Sequence, residues 1–365
     1  NALLGDVIAI LLNTNSGEIA SFAALFKSKQ FHKTLVYIVG PIFYCLLVMN
    51  KDRHVDTSLN KEVVANYILG GIIIAVLALA PIRDFILKIP VYINAAQENK
   101  IYLKQKESFR WNAVTNVHGK STVFIVLGET TRGDHMSING YARNTTPNLE
   151  KHQVTSFDNV ISIGTHTLVA TPFMLTRKPV EETWINKLYP ETSIITAFKE
   201  AGYKTYYISY LRNIHVGDNA INQIVNEADV YIRRPDDSKN NADSLALPII
   251  KNILEKNDCE KKLIVYKLIG SHWHFQDRYP TKFDYYQKKK KKIGFNGPNE
   301  SQKGVFINTY DNSILHTDYV VSNIIEMLKK ETGEASLSFI SDHGISIYED
   351  GKTLYAGAKR ANYNV

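Results

Sequence analysis

A glutamate, an aspartate and a histidine stand where strands of this chain should end, and a pair of threonines lies between them in the sequence. Ser121 to Leu127 reads Ser-Thr-Val-Phe-Ile-Val-Leu and then turns through Gly128-Glu129-Thr130-Thr131-Arg132. A largely apolar run of seven that stops at a glycine reads as a strand buried on both faces. Glu129 then falls just past its carboxyl end, where open α/β sheets place their ligands. A carboxylate there is costly to bury unless something positive faces it. Far along the chain, Ser338-Phe339-Ile340-Ser341-Asp342-His343-Gly344 repeats the design of a strand followed by an acid and an imidazole. Between the two, Gly164-Thr165-His166-Thr167 offers hydroxyls. Such oxygen and nitrogen donors suit zinc, with a hydroxyl completing the set. A threonine hydroxyl is protonated at neutral pH, and a zinc ion on the oxygen would lower its pKa and hold it for nucleophilic attack. Thr165 and Thr167 both offer that group.

The wider set of motifs is ordered. Gly128-Glu129-Thr130-Thr131-Arg132, Asn139-Gly140-Tyr141, Thr145-Thr146-Pro147, Gly164-Thr165-His166-Thr167, Gly270-Ser271-His272, Tyr310-Asp311-Asn312 and Ser341-Asp342-His343-Gly344 follow one another in the chain. From about Leu11 onward the sequence resembles the bacterial phosphoethanolamine transferases. These are inner-membrane enzymes with a periplasmic domain of the alkaline-phosphatase and sulfatase type. The resemblance implies that Thr167 is the phosphorylated nucleophile, with Thr165 as the fallback. It also implies that Glu129, Thr167, Asp342 and His343 hold Zn2+. His272, in Gly-Ser-His-Trp-His, would face the transferred phosphoryl group or a second zinc, and His274 is an extra candidate beside it. Asp311 and Asn312 are expected to open a helix that supports the site. Thr14 and Glu18, in Asn13-Thr14-Asn15-Ser16-Gly17-Glu18, match the periplasmic mouth of the membrane domain and would touch lipid substrate; as residues alone they read equally as a helix cap and a surface glutamate.

The implied reaction is ping-pong. Phosphatidylethanolamine donates its headgroup phosphate to Thr167, and a hydroxyl or phosphate of lipid A, lipopolysaccharide core or a related glycan takes it up. Two departures stand out. Several relatives carry disulfides around the nucleophile loop, where this chain has Ile163 and Phe173. The family also has a second histidine about a dozen residues after Asp-His-Gly, where this chain reads Leu354-Tyr355-Ala356-Gly357. A sulfatase would need a Cys/Ser-X-Pro-X-Arg nucleophile motif, absent around Thr167. A glycerol-phosphate transferase or phosphatase of the same superfamily stays open, as does a non-catalytic membrane sensor that keeps the fold.

The elements that must position these residues follow from pattern. Thr205-Tyr206-Tyr207-Ile208, Leu263-Ile264-Val265-Tyr266 and Leu337 to Ile340 read as further strands, with helices at Ile194 to Ala201 and Asp318 to Lys330. Strands alternating with helices imply a parallel sheet covered on both faces. The expected fold is an alkaline-phosphatase/sulfatase-like α/β/α sandwich over residues 119–365, preceded by a truncated transmembrane helical domain over 1–82. Leu35 to Met49 is uncharged, and Val63 to Ile82 is twenty residues without a charge, close to the roughly 20 that a spanning helix needs. Lys51, Arg53 and Lys61 in the intervening loop favour a cytoplasmic placement, with everything after Arg83 in the periplasm. Residues 83–118, amphipathic and aromatic, are expected as linker helices along the membrane surface. The chain starts at Asn1 without methionine and stops where another buried strand could begin, as a fragment at both ends would.

Composition narrows the partners. The net charge of +7 is scattered over the 365 residues. The one dense run, Lys288 to Lys292, reads as a solvated loop, which disfavours nucleic acid. An anionic membrane surface or a phosphorylated glycolipid suits the charge better. Cys45 and Cys259 are the two cysteines, one in an apolar segment and one in a polar loop, so no disulfide framework is available. A monomer is expected.

Overall fold

Alternating apolar runs produce a five-stranded sheet. The computed structural model describes residues 104–157, 159–179, 190–210, 220–233, 242–286 and 303–347, all within one compact unit, Tyr102–Val365. The expected spans at 35–49 and 63–82, and with them Thr14, Glu18, Cys45, Lys288 to Lys292 and Ala356, lie outside these residues. Among the described residues no helix is long and apolar enough to cross a membrane.

In chain order the regular elements are β1 (Ser121–Gly128), α1 (Pro147–Lys151), α2 (Thr167–Leu175), α3 (Ile194–Glu200), β2 (Lys204–Ser209), α4 (Ala220–Val225), β3 (Val230–Arg233), α5 (Leu247–Glu255), β4 (Lys261–Lys267), α6 (Lys303–Leu328) and β5 (Glu334–Ser341). The strands lie in the order β3-β2-β4-β1-β5, and every pairing is parallel. Side chains alternate between the faces. Phe124, Val126, Ile264, Tyr266, Tyr206 and Ile208 pack with α5 and α6. Leu127, Leu263, Val265 and Tyr207 pack with α2, α3 and α4. A sheet buried on both faces needs continuous apolar strands, which is why these segments were legible in the sequence. The three-layer α/β arrangement matches the expected sandwich.

Two elements differ from their sequence reading. Asp311 and Asn312 do not open a helix: α6 is already helical at Lys303 and carries both in its interior. The polar run Thr309 to Ser313 resembles a cap, but all five residues are buried, and their side chains bond inward. In the segment expected as linker helices, residues 104–108 are helical and 109–119 are irregular. Those irregular residues are pinned to the unit. Trp111 Nε1 donates to Thr192 Oγ1 at 2.9 Å, and the Trp111 and Ala113 amides donate to the Glu200 carboxylate.

Candidate active site

Register decides what meets at the carboxyl ends of the strands. On one side of β1, Gly128 pairs with Ser341 of β5, so the next residues, Glu129 and Asp342, emerge side by side. On its other side, Leu127 pairs with Lys267, the last residue of β4. An acid, an acid and an ammonium thus share one level across three neighbouring strands.

The polypeptide holds this level tightly. Gly270, with φ +52°, lies so close to Glu129 that an added Cβ would come within 2.6 Å of the Glu129 carbonyl oxygen; only glycine fits. Ser271 N donates to that same carbonyl at 2.9 Å. Thr130 sits at φ +59°, a strained conformation for a β-branched residue. Its carbonyl accepts from Tyr310 Oη at 2.7 Å, while the Tyr310 hydroxyl accepts from Arg132 N. Its amide donates to Asp342 Oδ1, and Thr131 N donates to Ser341 Oγ.

Thr167 is the first residue of α2, where the helix dipole favours negative charge. Its Oγ1 lies 3.2 and 3.0 Å from the two Glu129 carboxylate oxygens and 3.3 Å from His343 Nε2. His343 Nε2 is 3.2 Å from Glu129 Oε1 and 3.8 Å from Asp342 Oδ1. Tetrahedral ligands about 2.0 Å from a zinc ion would stand roughly 3.3 Å apart, so these spacings fit one ion. The imidazole is oriented for it too. Its Nδ1 donates to the Gly344 carbonyl at 2.8 Å, which directs the Nε2 lone pair at the cluster. Glu129, Asp342 and His343 form the group able to hold a metal among the described residues.

Lys267 completes the site from behind. It is 1% exposed, and its Nζ is 2.8 Å from both Glu129 Oε2 and Asp342 Oδ2. Burial pushes the Glu129 carboxyl up, but the Lys267 ammonium and His343 outweigh it and hold the group well below the usual range. Asp342 moves the other way, raised by burial and by the charge on Glu129. Burial alone would lower Lys267, yet Asp342 and Glu129 keep it above the ordinary lysine range. Burial also works against charge on His343, but its hydrogen bond to Glu129 and the field of Asp342 prevail and push it up to about 9. Binding metal therefore means displacing a proton from Nε2.

The structure thus brings Glu129, Thr167, Asp342 and His343 together. Thr165 adds no hydrogen bond to the cluster. His272 stays outside the metal-binding group, exposed on the turn whose Ser271 touches Glu129; its Nδ1 donates to the Trp273 carbonyl. His274 stacks on Trp273 and stands apart from the cluster. Asp311 supports the site at one remove, taking hydrogen bonds from His135, Tyr141 and Arg143. Sequence reasoning overlooked Lys267 and Asp243. Lys267 had a usable signal: a lysine ending an apolar strand core is almost never buried without a partner. Asp243 had none, since its role is to accept the amides of Ile269 and Gly270 beneath the His272 turn.

A parallel α/β sandwich with acid, imidazole and threonine converging at the strand ends defines a class, and comparison with known proteins agrees. The family model for sulfatases matches residues 121–364. The Kdo(2)-lipid A phosphoethanolamine 7''-transferase of Escherichia coli K12 is 29% identical over 258 residues, 70% of this chain and 45% of that one. Among solved structures, the periplasmic domain of phosphoethanolamine transferase EptC from Campylobacter jejuni has a TM-score of 0.58 at 27% identity, covering 67% of this chain and 76% of that one. The same domain of Escherichia coli EptC, solved as a complex with Zn, has a TM-score of 0.57 at 25% identity, covering 67% and 71%. The chain belongs to the sulfatase family, and the relatives just named are phosphoethanolamine transferases. It spans about half the length of the curated relatives it matches.

Proposed function

We propose that this chain transfers phosphoethanolamine from phosphatidylethanolamine to an envelope glycolipid, lipid A or lipopolysaccharide core, through a phosphorylated Thr167. The observation that carries the reading is the Thr167 hydroxyl, which lies within 3.3 Å of both Glu129 and His343 at the head of α2. The names of its relatives supply the transferred group and the glycolipid acceptor. The donor set and the zinc complex of a neighbour support Zn2+ as the metal. The implied setting is the bacterial inner membrane, with the unit described here in the periplasm, acting as a monomer.

Glu129, Asp342, His343 and Thr167 would hold the ion, which would polarise the threonine hydroxyl and draw charge off the phosphoryl oxygens. Glu129 accepts the hydroxyl hydrogen bond and orients the oxygen, and the Thr167 proton would pass to solvent as the ion lowers the pKa of the hydroxyl. Thr167 Oγ1 then forms a bond to phosphorus, while the bond to the glycerol oxygen breaks and diacylglycerol leaves with a proton. In the second step the acceptor oxygen attacks the phosphothreonine, gives up its own proton and restores the Thr167 hydroxyl. His272, on the turn that follows β4, would contact the phosphoryl group or a second zinc. Thr14 and Glu18, matched by resemblance to the family's membrane domain, would contact lipid.

Incubation with phosphatidylethanolamine should add the mass of phosphoethanolamine to the peptide containing Thr167, and Thr167→Ala should abolish the adduct. An undiminished adduct in Thr167→Ala would remove Thr167 as nucleophile.

A further inference from the structure

Lys267 takes no step in the proposed transfer, yet all three of its N–H donors are committed at the centre of the site. Besides the two carboxylates at 2.8 Å, its ammonium donates to the Gly128 carbonyl at 2.7 Å. The residue sits on a strand rather than a loop, and its register against Leu127 sets the height at which the side chain enters. Each carboxylate therefore divides its oxygens. Glu129 Oε2 and Asp342 Oδ2 face Lys267, whereas Glu129 Oε1 and Asp342 Oδ1 are the oxygens measured against His343 Nε2. The protein has already placed one cation against the two acids that would hold the metal.

We infer that Lys267 is a built-in competitor for the metal, a fixed positive charge that weakens zinc binding at the Glu129–Thr167–Asp342–His343 site. The inference rests on reading that cluster as a metal site. A like charge across shared carboxylates repels an incoming ion strongly, because the surroundings are poorly screened. The ammonium also neutralises the acids when no ion is present, so the metal-free chain gains less by taking one up. A rival role makes the opposite prediction. Were Lys267 only a brace that pre-positions the carboxylates, removing it would loosen the ligands and weaken zinc binding.

The test uses the full chain purified in detergent and stripped of metal with a chelator. Zinc affinity is read by competition with a fluorescent zinc chelator, and melting is followed with and without zinc. Lys267→Met keeps the stem without the charge, and Lys267→Gln keeps a donor. Both variants should bind zinc at least about tenfold more tightly than the wild type, a conservative share of the expected repulsion. Zinc should also raise their melting temperatures by more than it raises that of the wild type. A variant that folds only with zinc supports the inference as well, since the ion then replaces the missing ammonium. Equal or weaker affinity in both variants overturns it, as does failure of both to fold even with zinc. If neither the wild type nor the folded variants bind zinc, the metal reading itself falls and the inference goes with it.

Discussion

Asp243 shows how one buried carboxylate can couple the site to pH. Its two oxygens accept the Ile269 and Gly270 amides at 2.8 and 2.9 Å, which fixes the turn that leads to His272. Burial nonetheless pushes its carboxyl from the ordinary 3.8 up to about 6. A raised carboxyl binds its proton more readily in the folded state, so stability is gained as pH falls from about 6 towards 3.8 and lost again on the way up. Asp243→Asn lacks this titration. In urea unfolding, the wild type should gain on the variant by up to about 3 kcal/mol between pH 7 and pH 4. A stability difference that stays constant with pH would refute the assignment. Ala356 is the second residue with a definite expectation, resting on the family resemblance. A methyl group can neither bind metal nor donate to a phosphoryl oxygen. Ala356→His should raise phosphoethanolamine transfer by roughly tenfold, a fraction of what a well-placed donor contributes. Unchanged turnover would mean that Ala356 does not stand in the second histidine's place.

Among the elements, α6 links the farthest parts of the site. Three successive residues on it do separate jobs. The Tyr310 hydroxyl bridges the Thr130 carbonyl and the Arg132 amide. The Asp311 carboxylate gathers His135, Tyr141 and Arg143, and Asn312 binds Tyr279 and the Tyr286 amide. The strained backbone at Thr130 is held by the first of these, next to Glu129. Tyr310→Phe leaves a buried carbonyl and a buried amide without that partner, which should cost about 1–3 kcal/mol each when unsatisfied. Its unfolding midpoint in denaturant should fall accordingly, and zinc affinity should fall with it as Glu129 loses its fixed position. A variant as stable as the wild type would show that Tyr310 only fills space.

At the scale of the whole catalytic unit, the segment before β1 belongs to the folded body. Trp111 is held by Thr192 and Glu200 and is stacked by the Arg177 guanidinium, 4.8 Å from its ring. Lys106 pairs with Glu227 at 2.6 Å. These contacts join the entry to the unit with the helices on the α2–α4 face. Trp111→Ala removes a half-buried ring, a hydrogen bond and a cation–π contact, together worth about 2 kcal/mol. Limited proteolysis should then cut between 104 and 118 faster than in the wild type, while zinc affinity stays the same. Equal cleavage rates would show that Trp111 does not hold the segment down.

Local pattern was enough for the strands at 205–208 and 263–266, because a strand buried on both faces must be apolar throughout. At 337–340, on the half-exposed edge strand, the apolar Leu337, Phe339 and Ile340 were the signal. The same logic placed Glu129 and Asp342-His343 at strand ends, and the ordered motifs pointed to Thr167 between them. Pattern was misleading at Asp311 and Asn312, since a buried polar run on a long helix has the composition of a cap. Strand order was not legible at all: β4 lies between β2 and β1, a consequence of long-range packing that no short window contains. That order brings Lys267 against Glu129 and Asp342, residues far apart in the chain. The sequence alone therefore determined which side chains could do chemistry and at which strand ends they lie. Only the tertiary structure decided that a buried ammonium shares their carboxylates, because register between strands is a property of the assembled sheet.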